Sequence, residues 1–522
     1  MFIRKNKKEK NIIYNVLIAA VMLLLTALSD IVVRLLIDVP LPVFKAGWLA
    51  WLVVFLFLYC LSFAPRFIMG AGFLFVWIIQ TTGLCHWFYF GRIIAAMDII
   101  NFAKAHNSVL KLTYLMDICL PFMLSLATLA IGITAFVFLS KRTLTKKPYL
   151  IACVLIVLFI PSYSVLNSIK KEWQPNSSFP IAVNVIYAFT YSVFYGDNCM
   201  NMVKDDYLPY KTESSGVQVN KILFVLTDSW SLPHLKEFGY NRETMPYLSA
   251  RLEENKNYKM HTAIAPSVDT LVSVPSIFNN IREPFNQKEA LKRTANLLYI
   301  AKKNGYKTHV YTAHADFVFN ESGREYIDDY IYDVQDEEQM LSLLSKIDLK
   351  SDSKEFIVLH YFSVHSPYIQ GYERYKNKFE KFTPINPLDK ISYTINTYDN
   401  ALLHMDSMVD NVISYFDAVA GAQNTAVFLT ADHAELFNYN GSWGHGLLVT
   451  EGAKVPLIIR SVYDDLPLKW VPFWLVSENL ARHLGAKIIN PNLQENDFFI
   501  VDEFHFIKYR VDDGVITELD KQ

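Results

Sequence analysis

Residues 426–435 read AVFLTADHAE, an apolar run that ends in two carboxylates and an imidazole. The apolar part has the composition of a buried β-strand, and the polar residues follow where that strand would end. Helical stretches at 286–304 and 390–416 lie between further runs rich in Val, Ile and Phe. Apolar strands that alternate with helices predict an α/β domain with a mainly parallel sheet and helices on both faces. The other runs are residues 221–226, 308–311, 356–361 and 455–460.

Polar residues follow these runs, at the points where the predicted strands end. Ligands of parallel sheets bind beyond the carboxyl ends of the strands, so these residues are expected to share one edge. Their carboxylates and imidazoles are suitable ligands for zinc or manganese. Taken singly, Asp228 is equally typical of a helix N-cap and His365 of a hydrogen-bonded core residue, but their joint placement favours a metal site. The candidates are Asp228, His365, Asp432, His433, Glu435 and His445, the last in a glycine-rich turn.

The segment 266–275, PSVDTLVSVP, offers hydroxyl groups for nucleophilic chemistry. It is typical of a loop that enters a helix, where unpaired N–H groups and the positive end of the helix dipole suit a tetrahedral anion. A bound metal would lower the pKa of a hydroxyl there and activate it. An ordinary threonine N-cap at Thr270 is the structural alternative.

The composition of the whole chain points beyond one soluble domain. It has 522 residues, of which 52% are hydrophobic and 19% charged, whereas soluble proteins carry about 25% charged residues. This excludes a disordered chain and indicates a membrane component. Through Asp197 there are 17 Lys and Arg against 7 Asp and Glu, and beyond it 32 against 44. A basic, apolar part thus precedes an acidic, soluble-looking part, and the net charge of −2 argues against nucleic-acid binding.

Five apolar runs in the first part approach or exceed the roughly 20 residues that a membrane-spanning helix needs. Basic clusters at 4–10 and 141–147 belong in the cytoplasm by the positive-inside rule. An odd number of spans then places everything after about residue 167 outside the cytoplasm. The runs are residues 12–37, 47–62, 67–90, 112–139 and 149–167.

The predicted organisation has three parts. Residues 1–167 form a five-helix transmembrane domain, in which 91–111 is amphipathic and suited to the outer interface. Residues 168–216 form a bridging segment that ends in a short flexible join at 212–216. Residues 217–522 form the extracytoplasmic α/β domain. The amphipathic segment either caps the helix bundle or positions a lipid headgroup, and both interpretations stay open.

Four motifs resemble those of a known family. They are GYNRETMP at 239–246, TLVSVP at 270–275, DHAE at 432–435 and HG at 445–446. With them, the second half of the chain resembles the alkaline phosphatase/sulfatase superfamily. Nearly the whole chain is similar to the membrane-bound phosphoethanolamine transferases that modify lipid A, which also have five spans before the catalytic domain.

The chain departs from that family at several positions. The family's first metal ligand is usually Glu, and here it is Asp228. The cysteine pair that brackets the family's nucleophile falls on Pro266 and Ser276, so that disulfide is absent. Segment 443–458 is more similar to sulfatases, but the Cys/Ser-x-Pro-x-Arg motif that sulfatases convert to formylglycine is missing. The missing motif argues against sulfatase chemistry.

The resemblance implies an activity and a location. A phosphoethanolamine group would pass from a phospholipid, with phosphatidylethanolamine as the expected donor, to a surface glycolipid such as lipid A or a core sugar. The transfer would proceed through a phosphothreonine intermediate. The protein would be a multi-pass protein of the bacterial inner membrane, with a cytoplasmic N-terminus and a periplasmic catalytic domain.

The resemblance also implies roles for the candidate residues. A divalent metal, zinc before manganese, would be bound by Asp228, Thr270, Asp432 and His433, and Thr270 would be the nucleophile rather than Ser267 or Ser273. Glu435, His365 and His445 would contact the phosphoryl group. The two histidines could instead hold a second metal or protonate the leaving group, and Glu435 could orient a ligand.

Other interpretations remain. The chain could be a phosphoglycerol transferase resembling lipoteichoic acid synthase or the enzymes that decorate periplasmic glucans. A sulfatase-like hydrolase and an inactive membrane scaffold are the further alternatives. The remaining histidines are interpreted as structural; they include His234, His261, His309, His314 and His404.

Overall fold

A computed structural model divides the chain into two compact units. The N-terminal unit comprises Met1–Gly196 with Asn438–Trp443, and the sheet unit comprises Asp197–Phe437 with Gly444–Gln522. The structure describes residues 2–36, 47–90, 93–96, 98–99, 119–140, 147–149, 151–152, 154–156, 158, 179–195, 208–217, 219–283, 292–366, 368, 381–383, 390–439, 442–461, 463–467, 469–492, 497–502, 505–512 and 514–521.

The N-terminal unit is helical. Within the described part of the chain, its helices include α1 (Phe2–Leu36), α2 (Gly47–Leu61), α3 (Arg66–Phe90), α4 (Cys119–Ser140) and α5 (Ile181–Tyr195). Among the described residues, three stretches are long and apolar enough to cross a membrane, namely Ile12–Leu35, Arg66–Phe88 and Pro121–Phe138. The second and fifth predicted runs coincide with shorter apolar helices, Leu49–Leu61 and Lys147–Ile156. Most of the predicted amphipathic segment 91–111 lies outside the described residues.

Side-chain contacts show how α1, α2 and α3 alternate in direction. Near the start of α1, the Asn15 amide donates to the Ser62 carbonyl just after α2, at 2.6 Å. In the last turns of α1 and α3, the Arg34 guanidinium lies 4.2 Å from the centre of the Trp87 ring. Helices α1 and α3 therefore run the same way, and α2 runs opposite to both.

The sheet unit contains the predicted α/β architecture. Its strands are β1 (Lys211–Ser214), β2 (Lys221–Thr227), β3 (Tyr258–Ile264), β4 (Tyr306–Thr312), β5 (Asp329–Ile331), β6 (Lys354–Tyr361), β7 (Thr425–Ala431), β8 (Leu436–Tyr439), β9 (Ser442–Gly444), β10 (Lys454–Arg460), β11 (Val471–Pro472), β12 (Ala486–Ile489), β13 (Asp497–Val501), β14 (Phe506–Asp512) and β15 (Val515–Lys521), of which β8 and β9 run into the part assigned to the other unit. Eight strands form the main sheet in the order β11-β3-β10-β7-β2-β6-β4-β5. All neighbours in it pair in parallel except β10, which is antiparallel to β3 and β7.

Helices cover this sheet. They are α6 (Pro246–Glu254), α7 (Thr270–Asn279), α8 (Leu297–Lys303), α9 (Gln339–Leu344), α10 (Lys390–Ala420) and α11 (Phe473–His483). Helix α10 packs against α6 and α9, while α7, α8 and α11 pack against one another. The apolar strands and these helices share one hydrophobic core. The predicted architecture, apolar helices followed by a mainly parallel α/β domain, is confirmed.

Two local predictions differ from the structure. The predicted helix 286–304 begins only at Leu297, because the Asn296 side chain accepts the Tyr299 N–H at 3.0 Å and caps the helix there. The join predicted at 212–216 is partly a strand, since Lys211–Ser214 pairs antiparallel with Ala486–Ile489. Its polar composition gave no sign of a partner that lies far away in the sequence.

The register of the central strands positions the site. Strand β2 is buried along its whole length and lies between β6 and β7. Thr227, its last residue, is paired with Tyr361 of β6 and Ala431 of β7. All three strands therefore end at the same level, and the residues that follow them are neighbours.

Candidate active site

Three ligand-type side chains converge just beyond these strand ends. Asp228 follows β2, and Asp432 and His433 follow β7; each is at most 1% exposed. Their ligand atoms all lie within 4.8 Å of one another. The Asp432 N–H donates to the Thr227 carbonyl at 3.0 Å, so the sheet ladder itself places the second carboxylate beside the first. The predicted grouping of these residues by strand ends is thus present in the structure.

One oxygen of Asp432 is free to bind a ligand. Its Oδ1 accepts the His433 N–H at 2.8 Å and the Ser229 N–H at 3.4 Å. Among the described residues, its Oδ2 is buried and has no hydrogen-bond partner. A buried carboxylate oxygen without a partner is unfavourable unless a cation or a donor occupies the space beside it. The donor set of two carboxylates and an imidazole therefore fits a divalent metal ion.

Thr270 completes this group. It is the first residue of α7, and the Asp269 side chain caps the helix by accepting the Leu271 N–H at 2.9 Å. The Thr270 hydroxyl lies 3.3 Å from Asp228 Oδ2 and 3.1 Å from His433 Nε2. The hydroxyl is therefore at a helix N-terminus, as predicted, and the cap is Asp269 rather than Thr270 itself.

The two alternative hydroxyls of this segment are engaged elsewhere. Ser267 Oγ donates to the Val501 carbonyl at 2.7 Å. Ser273 Oγ donates to the Asp432 carbonyl at 2.5 Å and is fully buried. Both hydroxyls therefore donate to backbone carbonyl groups, whereas the Thr270 hydroxyl faces the carboxylates and the imidazole.

The turn after Asp228 is held by a tyrosine of α10. Ser229 has a φ of 56°, a left-handed conformation that is unfavourable for a residue with a side chain. The Tyr398 hydroxyl donates to the Ser229 carbonyl at 2.8 Å and accepts the Ser231 N–H at 2.9 Å. This bridge stabilises the strained turn and thereby fixes the direction of the Asp228 side chain.

A second group of side chains lies next to the first. His445 Nδ1 is 3.4 Å from the buried Glu435 carboxylate. The His445 ring centre lies 4.7 Å from that of His433 and 5.0 Å from that of His365. The structure therefore brings all seven predicted site residues together.

The electrostatics assign protonation states to these groups. Burial alone would lower the pKa of His445, but the Glu435 carboxylate raises it to about 9. Burial lowers the pKa of His365 to about 4. Burial favours raised pKa values for both aspartates, yet nearby histidines, with His365 the strongest, hold the pKa of Asp228 well below its usual range. Burial raises the pKa of Asp432 to about 6. At neutral pH the His445 imidazole is thus protonated and the His365 imidazole is neutral.

The sulfatase family model matches residues 220–472, the stretch that supplies all of these side chains. This stretch is therefore similar to a sulfatase-family domain. The phosphatidylethanolamine transferase Mcr-1 of Escherichia coli is 25% identical over 246 residues, 43% of this chain and 44% of Mcr-1. The phosphoethanolamine transferase EptA of Salmonella typhimurium is 30% identical over 227 residues, 40% of each chain. The chain thus spans less than half the length of these curated relatives.

A solved structure extends the similarity in fold to the N-terminal helices. It is the integral membrane protein lipooligosaccharide phosphoethanolamine transferase A (EptA) from Neisseria meningitidis. The TM-score is 0.56 at 17% identity, and the match covers 91% of this chain and 96% of that one. The resemblance predicted from the four motifs is confirmed by these comparisons.

The α/β domain also places at the candidate site a histidine, His314, that the sequence prediction assigned to the structural histidines. His314 Nε2 lies 3.0 Å from Asp228 Oδ2, and its ring stacks on that of His360 at 4.3 Å. The signal was available, since His314 follows β4 closely and strand ends had already identified the other candidates. By contrast, His234, His261 and His309 pair with carboxylates outside the predicted set, as structural histidines do.

Side chains of the motif at 239–246 hydrogen-bond α10, which lies far away in the sequence. Asp399 of α10 is fully buried and accepts three hydrogen bonds, each at 2.7 Å, from His234 Nδ1, the Tyr240 hydroxyl and Arg242 Nη1. Asp399 is the direct neighbour of Tyr398, which bridges the turn after Asp228. The motif thus anchors its loop to α10, the helix whose Tyr398 stabilises the turn after Asp228.

The His445–Glu435 pair predicts a pH dependence. Since the pKa of His445 is raised to about 9, its proton is present at neutral pH and is lost as the pH rises through about 9. We expect His445→Gln to lower turnover by about 10²- to 10⁴-fold, the usual contribution of a general acid, and to remove the alkaline limb of the pH–rate profile. His505→Gln is a matched control, because His505 Nδ1 lies at the same 3.4 Å from Asp502. An unchanged alkaline limb in His445→Gln would assign that limb to another group.

Proposed function

We propose that the chain is a metal-dependent transferase that moves phosphoethanolamine from a phospholipid to a surface glycolipid through a phosphothreonine at Thr270. The observation that carries this proposal is the Thr270 hydroxyl at the N-terminus of α7, within 3.3 Å of Asp228 and 3.1 Å of His433. The names of the relatives, which are phosphoethanolamine transferases, support the choice of the transferred group.

The residues proposed to hold the metal are Asp228, Asp432, His433 and the Thr270 hydroxyl. The unpartnered Asp432 Oδ2 supports this assignment, and the mixed oxygen and nitrogen donor set favours zinc. A divalent ion bound there would polarise the phosphoryl group and lower the pKa of the hydroxyl.

The first half of the reaction forms one bond to phosphorus and breaks another. Thr270 Oγ1 attacks the phosphorus of the lipid headgroup and releases its proton to water, while Asp228 Oδ2, 3.3 Å away, orients the hydroxyl. The bond from phosphorus to the diacylglycerol oxygen breaks, and protonated His445 donates its proton to that oxygen. The positive end of the α7 dipole stabilises the negative charge that develops on the phosphoryl oxygens.

The second half returns the site to its starting state. An acceptor hydroxyl of the glycolipid attacks the phosphothreonine, and neutral His445 removes the proton of that hydroxyl. The bond between phosphorus and Thr270 Oγ1 breaks, and Oγ1 takes a proton back from water. Glu435 keeps the His445 ring in place through both halves, because it lies 3.4 Å from Nδ1. His314 and neutral His365 line the same site and are proposed to contact phosphoryl oxygens.

The proposed function also needs an orientation. We propose that the N-terminus is cytoplasmic and the α/β domain periplasmic, because basic residues precede the apolar stretch Ile12–Leu35 of α1 and recur in the stretch 141–147. A phosphatase reporter fused after Gln522 should be active, and one fused near Thr143 inactive. The reverse pattern would exclude the orientation and, with it, access to outer-leaflet lipid.

The adduct formed on the chain tests the function directly. The full-length protein is incubated without acceptor with phosphatidylethanolamine or, separately, with phosphatidylglycerol, then digested with trypsin and analysed by mass spectrometry. The peptide of residues 260–282 should gain about 123 Da for phosphoethanolamine, the mass of a covalent headgroup intermediate. A gain of about 154 Da would instead identify a phosphoglycerol donor, as for the alternative transferase. No adduct with either lipid would refute transfer through a covalent intermediate.

A further inference from the structure

Helix α1 carries a buried charged pair in its last turns, within the apolar stretch Ile12–Leu35. Asp30 and Arg34 are both 1% exposed, and Arg34 Nε donates to Asp30 Oδ1 at 2.8 Å. The Ile181 backbone, at the start of α5, hydrogen-bonds the same carboxylate. Charged side chains in an apolar span are unfavourable and usually mark a functional site.

The pair leaves complementary hydrogen-bonding groups unused. Among the described residues, Arg34 Nη1, Arg34 Nη2 and Asp30 Oδ2 are buried and have no hydrogen-bond partner. The Nη atoms carry four N–H donors, and the Oδ2 atom is an anionic acceptor beside them. Leaving such buried groups unsatisfied is unfavourable, so the arrangement favours a ligand that offers an anion and a cationic donor together.

The depth of the pair matches the headgroup region. The helix between Lys10 and Arg34 is about 36 Å long at 1.5 Å per residue. The hydrocarbon layer is about 30 Å thick, so with Lys10 at one interface Arg34 reaches the other. Trp87, whose ring lies 4.2 Å from the Arg34 guanidinium, is of the residue type enriched at this depth.

We propose that Arg34 and Asp30 bind the zwitterionic headgroup of an ethanolamine phospholipid. The Arg34 Nη groups donate to the phosphodiester oxygens, and Asp30 Oδ2 accepts an N–H of the ammonium group. Charge is then balanced, because a neutral ion pair meets a neutral headgroup. A choline headgroup has no N–H to donate, and a glycerol headgroup has no positive charge. Since the Trp87 ring covers the guanidinium, the headgroup displaces the indole when it enters.

This inference rests on the proposed function, for which such a lipid is the donor, but it concerns a separate site in the N-terminal unit. Binding is therefore measured without turnover, in a Thr270→Ala background. The full-length protein in detergent is mixed with ethanolamine, choline or glycerol phospholipids of identical acyl chains, and retained lipid is counted by native mass spectrometry. We expect the ethanolamine lipid to be retained about tenfold more strongly than the other two, the equivalent of one charge-assisted hydrogen bond.

Two variants separate the two contacts. Arg34→Gln should weaken retention of all three lipids by about tenfold or more, since it removes the phosphate contact. Asp30→Asn should selectively abolish the preference for ethanolamine over choline. Arg66→Gln is the matched control, because Arg66 is an exposed arginine at the opposite end of α3.

The outcomes distinguish this site from the function on which it rests. If Arg34→Gln retains lipid like Arg66→Gln, or if the Thr270→Ala protein with the pair intact retains the three lipids equally, the site is refuted. The lipid comparison needs no change at position 34, so equal retention of the three lipids refutes the site even if Arg34→Gln does not fold. A preference for the ethanolamine lipid supports this site only where Asp30→Asn removes it, because the Thr270 site also accepts that headgroup. If the ethanolamine preference is present while wild-type protein forms no threonine adduct, the proposed function fails and the lipid site stands.

Discussion

Replacement of Thr270 by alanine should abolish the headgroup adduct and lower transfer by about 10⁴-fold or more, as loss of a catalytic nucleophile does in other enzymes. The change removes one hydroxyl at the start of α7 and leaves the Asp269 cap in place, so the fold should persist. Thr270→Ser keeps the oxygen and should retain part of the activity. The measurement is turnover together with the mass of the peptide of residues 260–282.

Ser276→Ala is the matched control for this experiment. Ser276 lies in the same helix and the same tryptic peptide, but its hydroxyl donates to the Val272 carbonyl of its own helix at 2.7 Å. It should therefore form the adduct at the wild-type rate. An adduct that moves to Ser273, or full turnover in Thr270→Ala, would overturn the assignment of the nucleophile while leaving the fold unaffected.

The central strands and their ligands were predictable because the signal is local. Strands β2, β6 and β7 are buried on both faces, so their sequences are continuous apolar runs with sharp polar ends. The parallel register aligns those ends, which is why Asp228 and Asp432 could be grouped from the sequence alone. The proximity of Thr270 was harder to predict, since it depends on the direction in which α7 leaves the sheet edge.

Features that depend on pairing were not predictable in the same way. The apolar run at 455–460 predicts a strand, but its sequence does not indicate the direction of that strand in the sheet. In the structure, β10 is antiparallel to both of its neighbours, β3 and β7. Strand β3 includes Lys259 and His261 and is not a continuous apolar run. Asp399 occupies an unremarkable position within α10, and only the tertiary fold shows that it accepts hydrogen bonds from three side chains.

His314 is a different case, because the rule that found the other ligands applies to it. The predicted strand 308–311 was one residue too short at its carboxyl end, since β4 continues to Thr312. His314 follows that true end by two residues, close to the offset of His433 from β7. The prediction considered too few residues after the strand end, although the loops that follow strands can carry ligands over several residues.

Removal of a metal ligand should have the second large effect. Asp432→Asn and His433→Ala each delete a proposed direct ligand, so each should lower zinc affinity by more than about 100-fold. Loss of a residue that only hydrogen-bonds a metal ligand lowers the affinity by about 10- to 100-fold. The measurement is metal content of the full-length protein after dialysis against a graded chelator. Asp464→Asn and His261→Ala are matched controls, because this buried pair, 3.1 Å apart, lies outside the predicted set. Full metal retention in both site variants would place the metal elsewhere.

The stability of the metal-free protein gives a further test, in which Asp432→Asn is expected to stabilise the fold. In the metal-free protein, burial raises the pKa of Asp432 to about 6, so its ionised form opposes folding at neutral pH. This penalty is absent below about pH 4, where the carboxyl is protonated in both states, and is fully present above about pH 6. In chelator at pH 7.5, Asp432→Asn should therefore be more stable to unfolding than wild type, by about 1–3 kcal/mol. With excess zinc the order should reverse, because at 1,000 times the dissociation constant a bound ligand adds about 4.1 kcal/mol to the wild type, which is more than this penalty. A structural hydrogen-bonding role for Asp432 would instead make Asp432→Asn less stable under both conditions, so the reversal itself decides between a ligand and a structural residue.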